Sequence, residues 1–313
     1  MNKTTFGLIL GFSFVLLESI QFVYFGGLFQ KMNSFQFAFL VFALTILIFV
    51  GLAAWKKPVQ LQNALAMPRE LLAVNVGAVI TFTAYLTSVQ LLEPAITYTI
   101  SAGTMPLTAY LLHRLGIHGG EAMRNRFEAA GNTLILFSIL FLTIITLTGL
   151  SGFVRGSHTA ALAGILLAVL DGVFFTLILV YSQRLNAGGV GPATVLGIRL
   201  PLYVLVAAAA YYAAPDFPQP TQLNHTQVLI YTMIGFLLLV PPLYFLQQAV
   251  SLLSTLTVST LTALGPFAIF CLQFIEDRIP YSPLTMAGLA LYFIGAILAA
   301  WGAVKASTQT SHG

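Results

Sequence analysis

Ten long apolar runs separated by short polar stretches organise the chain. A helix that crosses the hydrocarbon of a bilayer needs about 20 mostly apolar residues, and these runs have that length. They predict spans over Phe6–Phe25, Phe35–Ala54, Leu71–Leu91, Ala95–Leu112 and Ala130–Gly149. A second set falls over Ala160–Ser182, Pro192–Tyr212, Gln227–Gln247, Ser254–Phe274 and Leu284–Trp301. The runs are too long and too uniformly apolar for barrel strands, which alternate over about 10 residues. No small-residue cleavage site closes the first run, so it is read as a retained helix. The expected fold is an all-α polytopic membrane protein with ten transmembrane helices.

The stretches between the runs are short. The longest surround Trp55–Glu70 and His113–Ala129, and Ala213–Thr226, with Pro215, Pro218 and Pro220, reads as a rigid external loop. The polar residues after Lys305 read as a disordered tail. Composition agrees: 58% of the 313 residues are hydrophobic and only 7% are charged, where a soluble domain carries about 25%. A soluble fold of this size has no core large enough to hide so much apolar surface.

Charge placement matters more than the formal net charge of +4. With ten spans, Lys3, Lys56, Lys57, Arg69, Arg114, Arg124, Arg126, Arg184 and Lys305 fall on one side, and only Lys31, Arg155 and Arg278 on the other. Positive loops stay cytoplasmic, so both termini are expected in the cytoplasm, and the basic balance reflects topology rather than nucleic-acid binding. The lone cysteine, Cys271, excludes an intrachain disulfide and makes no metal site. His113, His118, His158, His225 and His312 read as solvated residues of loops and tail. There is no zinc motif, phosphate-cradling loop or serine elbow, so neither a metal nor a cofactor nor an enzyme activity is expected.

The chain repeats itself. Gly11 to Glu18 and Gly164 to Asp171 each place an acid seven residues after a glycine, inside an apolar helix. Thr99 to Pro106 matches Ser259 to Pro266, and Gly131 and Ser138 match Gly288 and Gly295. The offsets are all about 155 residues, the mark of an internal repeat. Residues 1–150 and 151–313 then each hold five spans. An odd number turns the second half upside down, giving the inverted five-helix repeats common among secondary transporters, whose sites lie near mid-membrane.

At these residues the sequence resembles the drug/metabolite transporter superfamily, in particular its EamA-type ten-helix members, over nearly the whole chain as two tandem EamA-like repeats. The resemblance is carried by the Ser/Thr-rich stretch ending in Pro266, Glu276 within Phe274 to Arg278, and Gly288 to Gly295. In the first half it is carried by Pro106, Gly131 and the span around Tyr85. The first half departs from the pattern where Gly116-Ile-His118 stands in place of an acid, with Glu121 only later. Glu18 also departs from many EamA-type sequences. An acid in the first helix is similar to the small multidrug resistance proteins, where it binds substrate and protons alternately. The resemblance implies export of a small molecule across a bacterial inner membrane.

Three charges fall inside spans: Glu18, Asp171 and Arg199. Each costs about 2.5–3.5 kcal/mol at a helix centre on insertion scales, so each is a candidate for the transport path. Glu18 either trades a proton for substrate, contacts substrate without coupling, or stays protonated beside a neighbour such as Gln21. Asp171 and Arg199 sit on consecutive spans and either form a structural ion pair or bind substrate, Arg199 offering its guanidinium fork to a carboxylate. Hydroxyls recur at helical spacing in spans four and nine. From these, with Tyr98, Ser101, Thr104, Ser259 and Thr262 are candidates for a polar cavity wall or for helix packing. Tyr85 and Tyr244 occupy matching places in the halves and are candidate pocket residues. Pro106 and Pro266, at equivalent points, and Pro241 and Pro242, without a counterpart, are candidate kinks or hinges.

The substrate these charges suit is an amino acid or an amino-acid-derived zwitterion such as a metallophore, exported with proton coupling. The alternatives are efflux of lipophilic cationic drugs, for which Glu18 and aromatic rings are apt, and a facilitator without coupling. A non-transporting scaffold would not require buried acids. The expected partners are the small-molecule substrate and the bilayer.

Overall fold

A computed structural model describes residues 3–29, 31–117, 122–123, 125–151, 157–216, 220–276 and 282–310. Of the positions used above, His118, Glu121, Arg124, Arg155, Pro218, Asp277, Arg278 and His312 lie outside the described residues, as do the side chains of Phe274, Glu276 and Lys305. Among the described residues every regular element is helical: α1 (Lys3–Leu28), α2 (Ser34–Lys56), α3 (Pro58–Leu65), α4 (Pro68–Leu91), α5 (Pro94–Arg114), α6 (Arg126–Leu147), α7 (His158–Ala187), α8 (Pro192–Ile198), α9 (Pro201–Ala213), α10 (His225–Leu252), α11 (Thr255–Thr262), α12 (Gly265–Glu276) and α13 (Pro283–Thr310).

Nine helical stretches among these residues are long and apolar enough to cross a membrane, and the chain is a multi-pass membrane protein. Two of the nine are composite, Pro192–Ala213 joining α8 to α9 and Thr255–Leu272 joining α11 to α12. The expected fourth span forms as α5 but is not apolar enough to count. Its hydroxyl residues have a physical reason: α5 is buried along most of its length, so protein rather than lipid surrounds it. The expected loop Trp55–Glu70 contains the short α3, started by Pro58 at its first turn. Three histidines read as loop residues instead occupy helix ends: His113 in the last turn of α5, and His158 and His225 opening α7 and α10.

The chain divides into two compact units that interleave its halves: residues 1–86 with 177–253, and 87–176 with 254–313. In the first unit α1 lies along α10, and α2 packs on α8, α9 and α10. Phe25, Phe29 and Phe37 form an aromatic cluster with ring centres 5.0–5.4 Å apart. Phe42, Phe82 and Tyr203 form another. Asn33 caps α2 by accepting from the backbone of Phe35 and Gln36, and its amide donates to Pro215 O at 2.9 Å. Thr221 donates to Gln36 and Gln222 N to Lys31 O, which fastens the loop after α9 to the start of α2.

In the second unit α6 and α13 pack most closely. A Cβ at Gly131 would lie 2.6 Å from Gly295 O, and one at Gly295 would lie 2.8 Å from Gly131 O. Ser138 donates to Gly288 O at 2.8 Å, and Asn125, which caps α6, donates to Gly302 O. Small residues let the two backbones touch, as membrane helix pairs require.

Two broken spans shape the units. In the first unit α8 ends at Ile198 and α9 restarts at Pro201. In the second, α11 ends at Thr262 and α12 restarts at Gly265-Pro266. Pro266 thus sits at a break, whereas α5 runs through Pro106 and α10 runs through Pro241 and Pro242.

Gly131→Val should force α6 and α13 apart and lower the thermal unfolding midpoint of the detergent-purified protein, an overpacking cost of about 1–3 kcal/mol or more. Gly51→Ala, whose added carbon meets nothing within 4 Å, should leave the midpoint unchanged or raise it.

Candidate functional site

In the first unit the break at Arg199–Leu200 is built by Pro201, which has no N–H to continue the helical ladder. One side chain from α4 repairs the damage. Asn75 Nδ2 donates to Ile198 O at 2.8 Å, and Asn75 Oδ1 accepts from Leu202 N at 3.2 Å. The break puts Arg199 in the interior, where it is 1% exposed. Its Nη1 donates to Gln247 Oε1 on α10 at 3.2 Å. Its Nε and Nη2 are buried without a hydrogen-bond partner, as are Gln247 Nε2 and Tyr203 OH. A guanidinium has five N–H donors, and the three on Nε and Nη2 are unused here. A buried donor left unpaired costs about 1–3 kcal/mol, more when charged, so the arrangement is poised for an acceptor.

Glu18 is buried on α1. Phe22, one turn further along the same face, packs at a tilt of 47° against Tyr85 with ring centres 4.6 Å apart. Tyr244 is only half-buried. Gln248 Nε2 donates to its hydroxyl at 2.7 Å, and it lines a cavity of about 310 Å³.

In the second unit Asp171 is buried on α7 and accepts from Ser101 Oγ at 2.7 Å. The contact depends on Gly172, where any Cβ would collide with Ser101 O and would come within 2.9 Å of Thr104. Thr176 adds a hydrogen bond to Met105 O at 3.3 Å. Tyr98 packs against Gly265 at the α11–α12 break. Thr104 and Thr262 return their hydroxyls to their own helices, at Ile100 O and Val258 O. Ser259 Oγ is buried without a partner. Of the hydroxyls predicted to line a site, Ser101 therefore meets a charge, Ser259 keeps an unused group, and Thr104 and Thr262 bond their own helices.

Arg199 and Asp171 each have a neutral hydrogen-bond partner inside their own unit: Gln247 for Arg199 and Ser101 for Asp171. Sequence reasoning missed Asn75, Tyr203 and Gln247, which carry no charge. It also missed Glu93, which stands at the residue before α5 without a side-chain capping bond, is 2% exposed, and has its carboxyl pushed up to about 8 by burial. The one signal for Glu93 was an acid held between two apolar runs by Pro94.

No family model and no curated protein matches the chain. A solved structure described only as the crystal structure of a protein matches over 94% of this chain and 96% of its own, with a TM-score of 0.66 and 17% identity. That likeness shows a shared fold along essentially the whole length and nothing about chemistry.

Glu93 binds its proton more tightly in the fold than in an unfolded chain, so the stability it contributes is complete below about pH 4.5 and is lost as pH rises to about 8. Across that window the wild-type unfolding midpoint should fall relative to that of Glu93→Gln. Parallel curves for the two proteins would remove Glu93 from the account.

Proposed function

We propose that the chain is a secondary transporter of the EamA type within the drug/metabolite transporter superfamily. In this reading it exports an amino acid or an amino-acid-derived zwitterion, such as a metallophore, across a bacterial inner membrane, with both termini cytoplasmic and Glu18 as the coupling acid. The observation that carries the reading is Arg199: a guanidinium at a helix break within a membrane span, with a neutral partner and unused donors. Intramembrane charges face pathways or partners, and broken spans are where transporters bind substrates. A substrate carboxylate suits the guanidinium fork of Arg199.

The inverted repeat is part of the proposal and draws support from the α6–α13 contact. Gly131 and Ser138 stand at the repeat offset from Gly288 and Gly295. Gly131 meets Gly295, and Ser138 meets Gly288. A two-fold relation between the two spans interchanges those two contacts. A second reading, efflux of lipophilic cations, is favoured by the Phe22–Tyr85 pair one turn from Glu18, since an acid beside aromatic faces attracts a cation.

The test uses the full chain in liposomes, with lumenal pH recorded while amino acids, amino-acid-derived metallophores and cationic drugs are added in turn. Proton movement evoked by the zwitterions and lost in Glu18→Gln supports coupled zwitterion transport. A response to cationic drugs alone selects the second reading, and labelled uptake without proton movement makes the protein a facilitator. Separately, Arg199→Gln should raise KM for carboxylate-bearing substrates about tenfold or more while sparing their methyl esters. Equal losses for acids and esters would show that Arg199 does not read the carboxylate.

A further inference from the structure

The cavity that holds Tyr244 opens at one end of the first unit. Phe49, Leu52, Lys56, Lys57, Tyr244 and Gln248 are among its walls. A second cavity of about 540 Å³ adjoins it, sharing Gln60, Gly191 and Pro192. None of the described residues lining either cavity is acidic, so the two lysines set the sign of the local field.

The level of the cavity in the bilayer follows from α2. Its 23 residues extend about 34 Å, slightly more than the roughly 30 Å of hydrocarbon, so Lys56 and Lys57 stand at a headgroup layer. On the same helix, Leu47 and Leu52 are exposed, as lipid-facing residues are, and Trp55 is 78% exposed. The Lys56 ammonium lies 5.2 Å from the centre of the Trp55 ring, an interfacial aromatic beside a basic residue.

The polar walls supply fixed amides. Thr194 donates to Gln60 Oε1 at 2.6 Å, which leaves the Gln60 NH2 as the outward donor. Among the walls of the second cavity, Asn186 has both its amide nitrogen and its amide oxygen buried without a hydrogen-bond partner. The joined cavities thus combine apolar surface, two cations and an unused amide. An anionic phospholipid with a polyhydroxy headgroup offers a match to each of the three.

We propose that these joined cavities bind such a lipid, of the phosphatidylglycerol kind. Its phosphate meets Lys56, Lys57 and the Gln60 amide, its headgroup hydroxyls reach Asn186, and an acyl chain lies over Phe49 and Leu52. The proposal does not depend on the transport reading and stands whether or not that reading does. Basic pockets at the ends of membrane helices are suited to such headgroups.

The full-length protein in detergent is titrated with phosphatidylglycerol, phosphatidylcholine or glycerol phosphate. Bound lipid is counted by native mass spectrometry, and the unfolding midpoint is followed. Phosphatidylglycerol should bind and raise the midpoint, and the other two should not. Lys56→Gln with Lys57→Gln should weaken phosphatidylglycerol binding roughly thirty-fold. Arg69→Gln, an exposed charge outside both cavities, should bind it like wild type. Gln60→Leu, which changes no charge, should weaken binding too and keeps the test valid should the double variant fail to fold. Equal stabilisation by phosphatidylcholine, or by glycerol phosphate as for a soluble anion, overturns the proposal. So does undiminished phosphatidylglycerol binding in the lysine and Gln60 variants.

Discussion

A single amide, that of Asn75, makes the centre of the first unit possible. In hydrocarbon no water can pair a stranded backbone group, and each one costs several kcal/mol. An unbroken helix would pair Leu202 N with Ile198 O. At Pro201 that rung opens, and the Asn75 side chain enters it from α4, donating to Ile198 O and accepting from Leu202 N. A second donation, to Leu71 O in its own helix, fixes the amide's orientation. The span can therefore break in mid-membrane without leaving either group unpaired.

The repaired break determines what Arg199 can do. A counter-ion would cancel its charge, and a ring of acceptors would use up its donors. Gln247 does neither: it takes one N–H and leaves the guanidinium positive, with its Nε and Nη2 still unused. Asp171 is treated alike, since the Ser101 hydroxyl satisfies one oxygen and neutralises nothing. Neutral partners hold both groups in place without a counter-ion, at a cost in stability. This is the pattern expected of charges kept for function, because a buried charge with no counter-ion is a poor way to stabilise a fold.

Much of this was legible in the sequence, at the level where one kind of signal dominates. Hydropathy located the spans, and α2, read as Phe35–Ala54, forms over Ser34–Lys56. Charges inside apolar runs marked Glu18, Asp171 and Arg199, all of which are buried. What escaped depends on tertiary position. Asn75 is one amide in an apolar helix, and only the neighbouring break gives it a task. Pro201 escaped because the apolar run Pro192–Tyr212 continues through it, and hydropathy does not distinguish a broken span from a whole one. The hydroxyls of α5 share one helical face, yet Thr104 bonds its own helix while Ser101 reaches Asp171. Spacing gives the face but not the rotamer or the neighbour.

The breaks also bear on how a repeated framework would work. Both broken spans, Pro192–Ala213 and Thr255–Leu272, lie after residue 150. Their counterparts under the proposed repeat, α2 and α5, are continuous. In α2 the residue nearest to an equivalent of the Pro201 break is Thr45, whose hydroxyl bonds Val41 O within an intact helix. The glycine contacts of α6 and α13 respect a two-fold relation, whereas the breaks do not. Symmetric packing favours two alternative arrangements of similar energy, the condition for alternating access. Among the described residues the full breaks fall in one half, which would make those arrangements unequal, because a span bends more easily where its helical ladder is already interrupted. Direction in such a transporter would then arise from where the chain is broken rather than from which residues line the path.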